Sequence, residues 1–381
     1  MRDPAAELRA LEEQGLRRRM RRMESPQGIR IQLAEGGECL NFSSNDYLGL
    51  ADSEALKDAY CRNVGTYGAG SGASRLVCGT MGPHLELEDR LARFKGTESA
   101  LTFSSGFAAA AGILPALCGK DDVVVLDKLC HASLIDGARL ANATLRVFPH
   151  NDLAHLERRL RWAAKRVGGD GRIVVVTESV FSMDGDLAPL EGICALKEKY
   201  GALLLVDEAH AFGVLGPGGR GLGAALGVDH RIDLQMGTFS KAVGLSGGYV
   251  CAKRPLVDLL VNRARSFIYS TAPSPALAAT VAEALELVGG KEGDALRARL
   301  KANVSTLSPR AGSAIVPVIV GENETALNAA EALQARGFLV PAIRYPTVPR
   351  GTARLRITLS AAHEPDQIES LRNALAALNL A

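Results

Sequence analysis

Four apolar runs in this chain end in residues that could do chemistry together. Ala202 to Val206 runs into Asp207, Glu208 and His210; Arg172 to Thr177 runs into Glu178, with Ser182 close behind; Asp122 to Leu126 leads to His131; and Leu234 to Gly237 leads to Thr238, Phe239, Ser240 and Lys241. Carboxylates, imidazoles, hydroxyls and one lysine at strand ends need no metal to explain them. A carboxylate directly after a buried strand can hold a cationic ring nitrogen, and a lysine on a loop after another strand can form a Schiff base. Those are the two fixed points of a pyridoxal 5'-phosphate (PLP) site. A phosphate would also need the free N–H groups and positive dipole end of a helix N-terminus. Ser104, Ser105 and Gly106, ahead of Phe107 and an alanine-rich stretch, supply one; Thr238 and Ser240 add hydroxyls, and Gly68, Gly70, Ser71 and Gly72 could line the entrance.

Taken singly, each residue has a plainer explanation. Asp207 could cap a following helix, His131 or His210 could be a structural histidine, and Lys241 could be an ordinary surface lysine. The joint pattern at four strand ends is what favours the site. Two other motifs are decoys. Gly244-Leu245-Ser246-Gly247-Gly248 satisfies the serine-hydrolase elbow, but a strand-like segment, Gly248 to Ala252, follows where that motif needs a helix. Gly68 to Ala73 loosely fits a dinucleotide fingerprint, but Asp58 to Thr66 before it is no apolar strand.

The positioning elements are predicted to be those of an α/β protein. From about 45 to 285, β-branched runs alternate with helical patterns, which implies βαβ units and a mostly parallel sheet covered on both faces. After a break at Gly289 to Gly293, strands are expected over Ser313 to Val320, Leu339 to Ile343 and Arg354 to Leu359, with helices near 323–336 and 364–378. The expected organisation is an N-terminal arm or helix over 1–45, a large cofactor-binding domain over 46–285 and a small C-terminal α/β domain over 286–381. Leu8, Leu11 and Leu16 among charges predict an amphipathic helix over the first 23 residues, stopping near Ser25-Pro26.

With 381 residues, the chain is long enough for two or three domains, and 47% hydrophobic with 23% charged residues excludes a mostly disordered protein. A net charge of +2 gives no whole-molecule field for nucleic acid; the run Arg17, Arg18, Arg19, Arg21 and Arg22 reads as a solvated face, with a basic nucleic-acid arm as its rival explanation. No apolar stretch has membrane-span length. The seven cysteines form neither a Cys-x-x-Cys pair nor a zinc spacing, the N-terminus lacks a secretory apolar core, and Glu7, Glu12 and Glu13 argue against a mitochondrial presequence. A reducing, cytoplasmic setting is expected.

Seven segments in order resemble the α-oxoamine synthases, which are fold-type I PLP-dependent enzymes: NFSSNDYLGL (41–50), YGAGSGASR (67–75), SSGFAA (104–109), HASL (131–134), TESVFSMDGDLAPL (177–190), VDEAHAFGVLG (206–216) and TFSKAVG (238–244). The resemblance implies a large domain with a mostly parallel sheet, a small C-terminal α/β domain, and an obligate homodimer with shared active sites. It implies that Lys241 tethers PLP and moves the Cα proton, that Asp207 pairs with the ring nitrogen, that His131 stacks on the ring and that His210 bonds its phenolic oxygen, with Glu178 and Ser182 near. The phosphate would fall to Ser105, Gly106, Phe107 and Thr238, joined by Ser270 or Thr271 from a second subunit. Arg356, beside Asn45, would hold an amino-acid carboxylate.

Within the family, AIRYPTVPRGTARLRITLSAAH (342–363) resembles the acyltransferases of biotin biosynthesis. That implies condensation of L-alanine with a pimeloyl thioester on coenzyme A or acyl carrier protein; a sister synthase using glycine is the alternative. Arg17 is then the candidate for the acyl chain's far carboxylate. On a helix each residue step turns the side chain by about 100°, so the choice among Arg17, Arg18 and Arg19 stays open.

Overall fold

The structure, a computed structural model, describes residues 3–380. Chain contacts divide it into two units: one takes the N-terminal residues up to Asp52, Met183–Gly185 and the residues from Arg299 onward; the other takes Ser53–Ser182 and Asp186–Ala298. Three consecutive segments were expected, 1–45, 46–285 and 286–381, whereas the N-terminal segment shares a unit with the C-terminal one. Strand pairing is the reason. β1 (Arg30–Leu33) pairs antiparallel with β2 (Gly37–Asn41), and β2 pairs parallel with Phe338 and Leu339, nearly 300 residues later.

The larger unit is built on a seven-stranded sheet of β3 (Ser99–Phe103), β4 (Val123–Asp127), β5 (Thr144–Phe148), β6 (Ile173–Glu178), β7 (Leu203–Asp207), β8 (Leu234–Thr238) and β9 (Gly248–Ala252), ordered β3-β9-β8-β7-β6-β4-β5. All neighbours are parallel except β9, which runs antiparallel to β3 and β8. The interior strands read as continuous apolar runs because both faces are covered. Along β4, Val123 and Val125 face one core with Leu156, Leu160 and Ile193, while Val124 and Leu126 face another with Ile113, Leu114 and Leu134. Two strands, β3 and β5, were not singled out from sequence; β5 is a sheet edge whose Thr144–Arg146 half is only partly buried, so its apolar signal is diluted.

Two helices on one face carry site residues at their starts. Ser105 caps Gly106–Leu117 by accepting from the Ala108 N–H, and His131 caps Ala132–Leu140 by accepting from the Ser133 N–H. They approach so closely that a Cβ on Gly137 would lie 2.5 Å from the Ala110 carbonyl oxygen.

In the smaller unit, β10 (Ile315–Gly321), β13 (Ala353–Thr358) and β12 (Ala342–Ile343) form an antiparallel sheet, and β11 (Phe338–Leu339) completes the sheet with β1 and β2. The single strand expected over Leu339 to Ile343 is thus split between two sheets at Pro341, whose nitrogen has no hydrogen to offer a ladder. The N-terminal helix is also shorter than expected. It runs over Pro4–Glu13, capped by Asp3 at its start. Gly15 ends it at φ +63°, with Gly15 N–H bonding Glu12 O and Leu16 N–H bonding Leu11 O, a paired terminus that turns the chain away long before Ser25-Pro26. No helix among the described residues is long and apolar enough to cross a membrane.

Filling the gap between the two site-bearing helices should be costly. Gly137→Val is expected to destabilise the protein by about 1–3 kcal/mol, seen as a lower denaturant midpoint at unchanged slope; an unchanged midpoint would refute the close approach.

Candidate active site

Sheet register brings the polar residues level. Glu178 is the partner of Asp207 across β6 and β7, and Asp207 is the partner of Met236 across β7 and β8. Beyond these ends opens a cavity of about 230 Å³ lined by Ser105, Gly106, Phe107, His131, Glu178, Asp207, His210, Thr238 and Lys241, together with Ser133 and Ser240. It lies outside the carboxyl ends of the parallel strands, where ligands bind in sheets of this kind.

Lys241 Nζ is 2.9 Å from His210 Nε2. Asp207 does not cap a helix: its Oδ1 accepts from the Ala209 N–H at 2.9 Å, and its carbonyl accepts from the backbone and hydroxyl of Ser179. Glu178 accepts from the His131 N–H. Burial, and then the charge of Asp207 beside it, lift the Glu178 carboxyl to about 8, against the pull of Lys241. Burial raises Asp207 as well, with Lys241 opposing. Burial lowers His131, helped by Lys241 and opposed by Asp207, so the ring is neutral near pH 7. Its Nδ1 lies 2.8 Å from Ser133 Oγ and accepts from the Ser133 N–H, which assigns the ring proton to Nε2. Sequence reasoning did not single out Ser133; its position two residues after a histidine at a helix start was the available signal.

At the other pole, the Gly106 and Phe107 N–H groups precede the first intrahelical bond of a 12-residue helix. Thr238 Oγ1 donates to Gly247 O at 2.7 Å and accepts from the Ser240 N–H, with Ser240 Oγ 2.8 Å away. The threonine's one hydrogen is therefore engaged, and Ser240 is the freer hydroxyl.

Other expected residues lie apart from this cavity. Ser182 is buried but does not line it. Ser270 and Thr271 lie on a partly exposed segment that bridges to Ser74. Ser246 is exposed and directly precedes the Gly247-Gly248 entry into β9, which rules out a hydrolase elbow.

Arg356, Asn45 and Arg17 belong to the smaller unit. There Arg356, buried on β13, donates to Asn45 Oδ1 at 3.1 Å and to Thr358 Oγ1 at 2.9 Å. The Tyr47 hydroxyl also reaches Asn45 Oδ1, at 3.3 Å, and burial pushes that phenol up to about 12 despite Arg356 beside it. Segment 42–47 is laced to the end of β13 by Thr358 N–H to Phe42 O and Ala361 N–H to Tyr47 O. Arg17 donates to Glu12 at 3.0 Å, Arg19 donates to the same carboxylate, and Arg18 reaches Thr347. All three arginines follow the helix end, so helical spacing does not separate them.

The larger unit's donor set fits PLP: a carboxylate for the ring nitrogen, an imidazole on the cavity wall, an amine, and a helix N-terminus for the phosphate. A model of the aminotransferase class I and II family matches residues 37–375. Among curated relatives, the 8-amino-7-oxononanoate synthase of Geobacter sulfurreducens is 51% identical over 98% of this chain and 96% of its own. The chain belongs to the 8-amino-7-oxononanoate synthase family. Solved relatives agree on the fold: a serine palmitoyltransferase solved with PLP is 32% identical, with a TM-score of 0.91 over 99% of this chain and 98% of its own. The 8-amino-7-oxononanoate synthase of Francisella tularensis is 29% identical, with a TM-score of 0.74 over 90% and 98%. The architecture is that of the fold-type I PLP-dependent transferases.

Glu178 makes a pH signature. Its folded value of about 8 lies above the ordinary 4.5, so the folded protein retains a proton that the unfolded chain releases between the two. Stability from this group is full below 4.5 and drains as pH rises toward 8. In the cofactor-free protein, Glu178→Gln is expected to flatten that decline in melting temperature; an unchanged slope would count against the buried proton.

Proposed function

We propose that this protein binds PLP and condenses L-alanine with a pimeloyl thioester, carried on coenzyme A or acyl carrier protein. A bond forms between alanine Cα and the thioester carbonyl carbon, the thiol leaves, and the alanine carboxylate departs as carbon dioxide, giving 8-amino-7-oxononanoate for biotin biosynthesis. The observation that carries this reading is the grouping of Lys241, His210, Asp207, Glu178 and His131 around one cavity with a helix start at its other pole, in a chain of this family.

When bound, PLP supplies an electron sink that acidifies the amino acid's Cα. Asp207 holds the proton at the ring nitrogen, because a buried carboxylate strongly favours a cation beside it. Lys241 is the covalent tether and then moves the Cα proton; His210 steadies its amine and bonds the phenolic oxygen. His131 would stack on the ring, its backbone held by the Glu178 carboxyl, with Ser182 in support. Ser105, Gly106 and Phe107 would take the phosphate, joined by Thr238 once its hydroxyl turns from the Gly247 carbonyl, and by the freer Ser240 hydroxyl.

Arg356, with Asn45, takes the alanine carboxylate, for which a planar guanidinium is the matching shape. Arg17 takes the acyl chain's far carboxylate in exchange for Glu12. A homodimer in which Ser270 or Thr271 of a second copy completes the phosphate site is supported by the exposed apolar side chains Val77 (79%) and Tyr269 (71%) on nearby segments. Free cysteines throughout, five of them buried, support a cytoplasmic setting.

Lys241→Ala is expected to lower turnover by about 10²–10⁴-fold or more; normal turnover in that variant would overturn the reading. Titrating the PLP-loaded protein should show a visible absorbance change with alanine rather than glycine or serine, enhanced by pimeloyl thioester. A glycine-selective response would move the protein to a sister synthase. Arg356→Lys is expected to raise the KM for alanine about tenfold or more, with little change in the KM for the thioester.

A further inference from the structure

Outside the cavity lining, His150 sits between two carboxylates. Its Nδ1 is 3.0 Å from Asp127 Oδ1 and its Nε2 is 2.7 Å from Asp186 Oδ2. Asp127, fully buried, ends β4 and shapes the turn that leads to His131: its carboxylate also accepts from the Leu129 N–H at 2.8 Å and the Asn151 N–H at 2.9 Å, and its carbonyl accepts from the Cys130 N–H. Asp186 belongs to the turn that follows Glu178, closed by Phe181 N–H to Asp186 O and Ala188 N–H to Ser179 O. Asn151, at φ +56°, adds a side-chain bond to Asp186 Oδ2 at 2.9 Å, and the Phe181 ring meets the His150 ring edge to face at 4.3 Å.

We propose that His150 is a positioning residue for the reaction: by bridging Asp127 and Asp186 it fixes the turns flanking β4 and β6, and through them the places of His131 and Glu178. His150 does not itself line the cavity, so it acts through those two residues, which are joined by the His131 N–H to Glu178 bond. A ring that donates from both nitrogens must be an imidazolium. Among the described residues, the charged groups facing it are Asp127 from the end of β4 and Asp186 from the turn; Asn151 and Phe181 are neutral. Burial alone would lower the histidine, but the hydrogen bonds and charges of the two aspartates lift it to about 10. The bridging form therefore persists through neutral pH and is lost only as pH rises through that value.

The proposal rests on the reading that His131 meets the cofactor, so its test includes a readout that does not. In Asp186→Asn, whose side chain is the more exposed of the two partners, the His150 titration should fall toward its ordinary value. The visible circular dichroism of bound PLP should then decline with pH well before the wild-type protein's does. In the cofactor-free protein, the His131 ring resonances in NMR should move with the same titration. His150→Gln, which removes the titrating group and serves should the first variant fold poorly, is expected to displace the His131 resonances at all pH values and to lose up to about 100-fold in kcat/KM. An Asp186→Asn pH profile that matches wild type, or His131 resonances unmoved in His150→Gln, would overturn the proposal. Either result would leave the outcome for Lys241→Ala untouched, so failure here is distinct from failure of the proposed function.

Discussion

Two carboxylates side by side in a protein interior govern this site. Asp207 and Glu178 are register partners on adjacent parallel strands, and both are buried. Two negative charges in such a place cannot both be held, so Glu178 keeps its proton near neutral pH and the remaining charge and dipoles need compensation. The fold supplies it from three directions: the Lys241 amine, the Ala209 N–H on Asp207 and the His131 N–H on Glu178. Compensation works only if the strands end level, as they do in the register of β6, β7 and β8. A cationic ring opposite Asp207 would relieve the same stress, so the site is electrostatically prepared for such a ring.

Much of this was legible in the sequence because it obeys one rule: continuous β-branched and aliphatic runs mark parallel strands, and the polar residue after each run faces the ligand. Asp207, Glu178, His131 and Lys241 were found that way, and the structure gathers them round one cavity. What escaped depends on contacts between distant segments. β5 lies at an edge and lacks a full apolar signature. Ser182 follows a strand but is buried outside the cavity lining. Arg17 to Arg19 were treated as a helix face, because leucine spacing outlasts the helix while Gly15, a single left-handed residue, ends it.

The smaller unit shows the same limit in its strand pairing. Pro341 divides what looks like one strand into members of two sheets, and β2 finds its neighbour near residue 338. Neither pairing has a local signal. Yet the lacing of 42–47 onto the end of β13 is what brings Asn45 to Arg356. The sequence motifs at 41–50 and 342–363 are two halves of one construction, which explains why both resemble the same family.

That construction has a consequence for biosynthesis. A chain emerging from the ribosome can condense the seven-stranded sheet while β1 and β2 are still without β11, because the stretch 53–298 is translated between them and their partner. The early strands must therefore persist with an open edge, the kind of surface that invites aggregation, until Phe338 and Leu339 arrive. Lys241 is therefore translated more than a hundred residues before Arg356, and the pairing of Asn45 with Arg356 waits for the later segment.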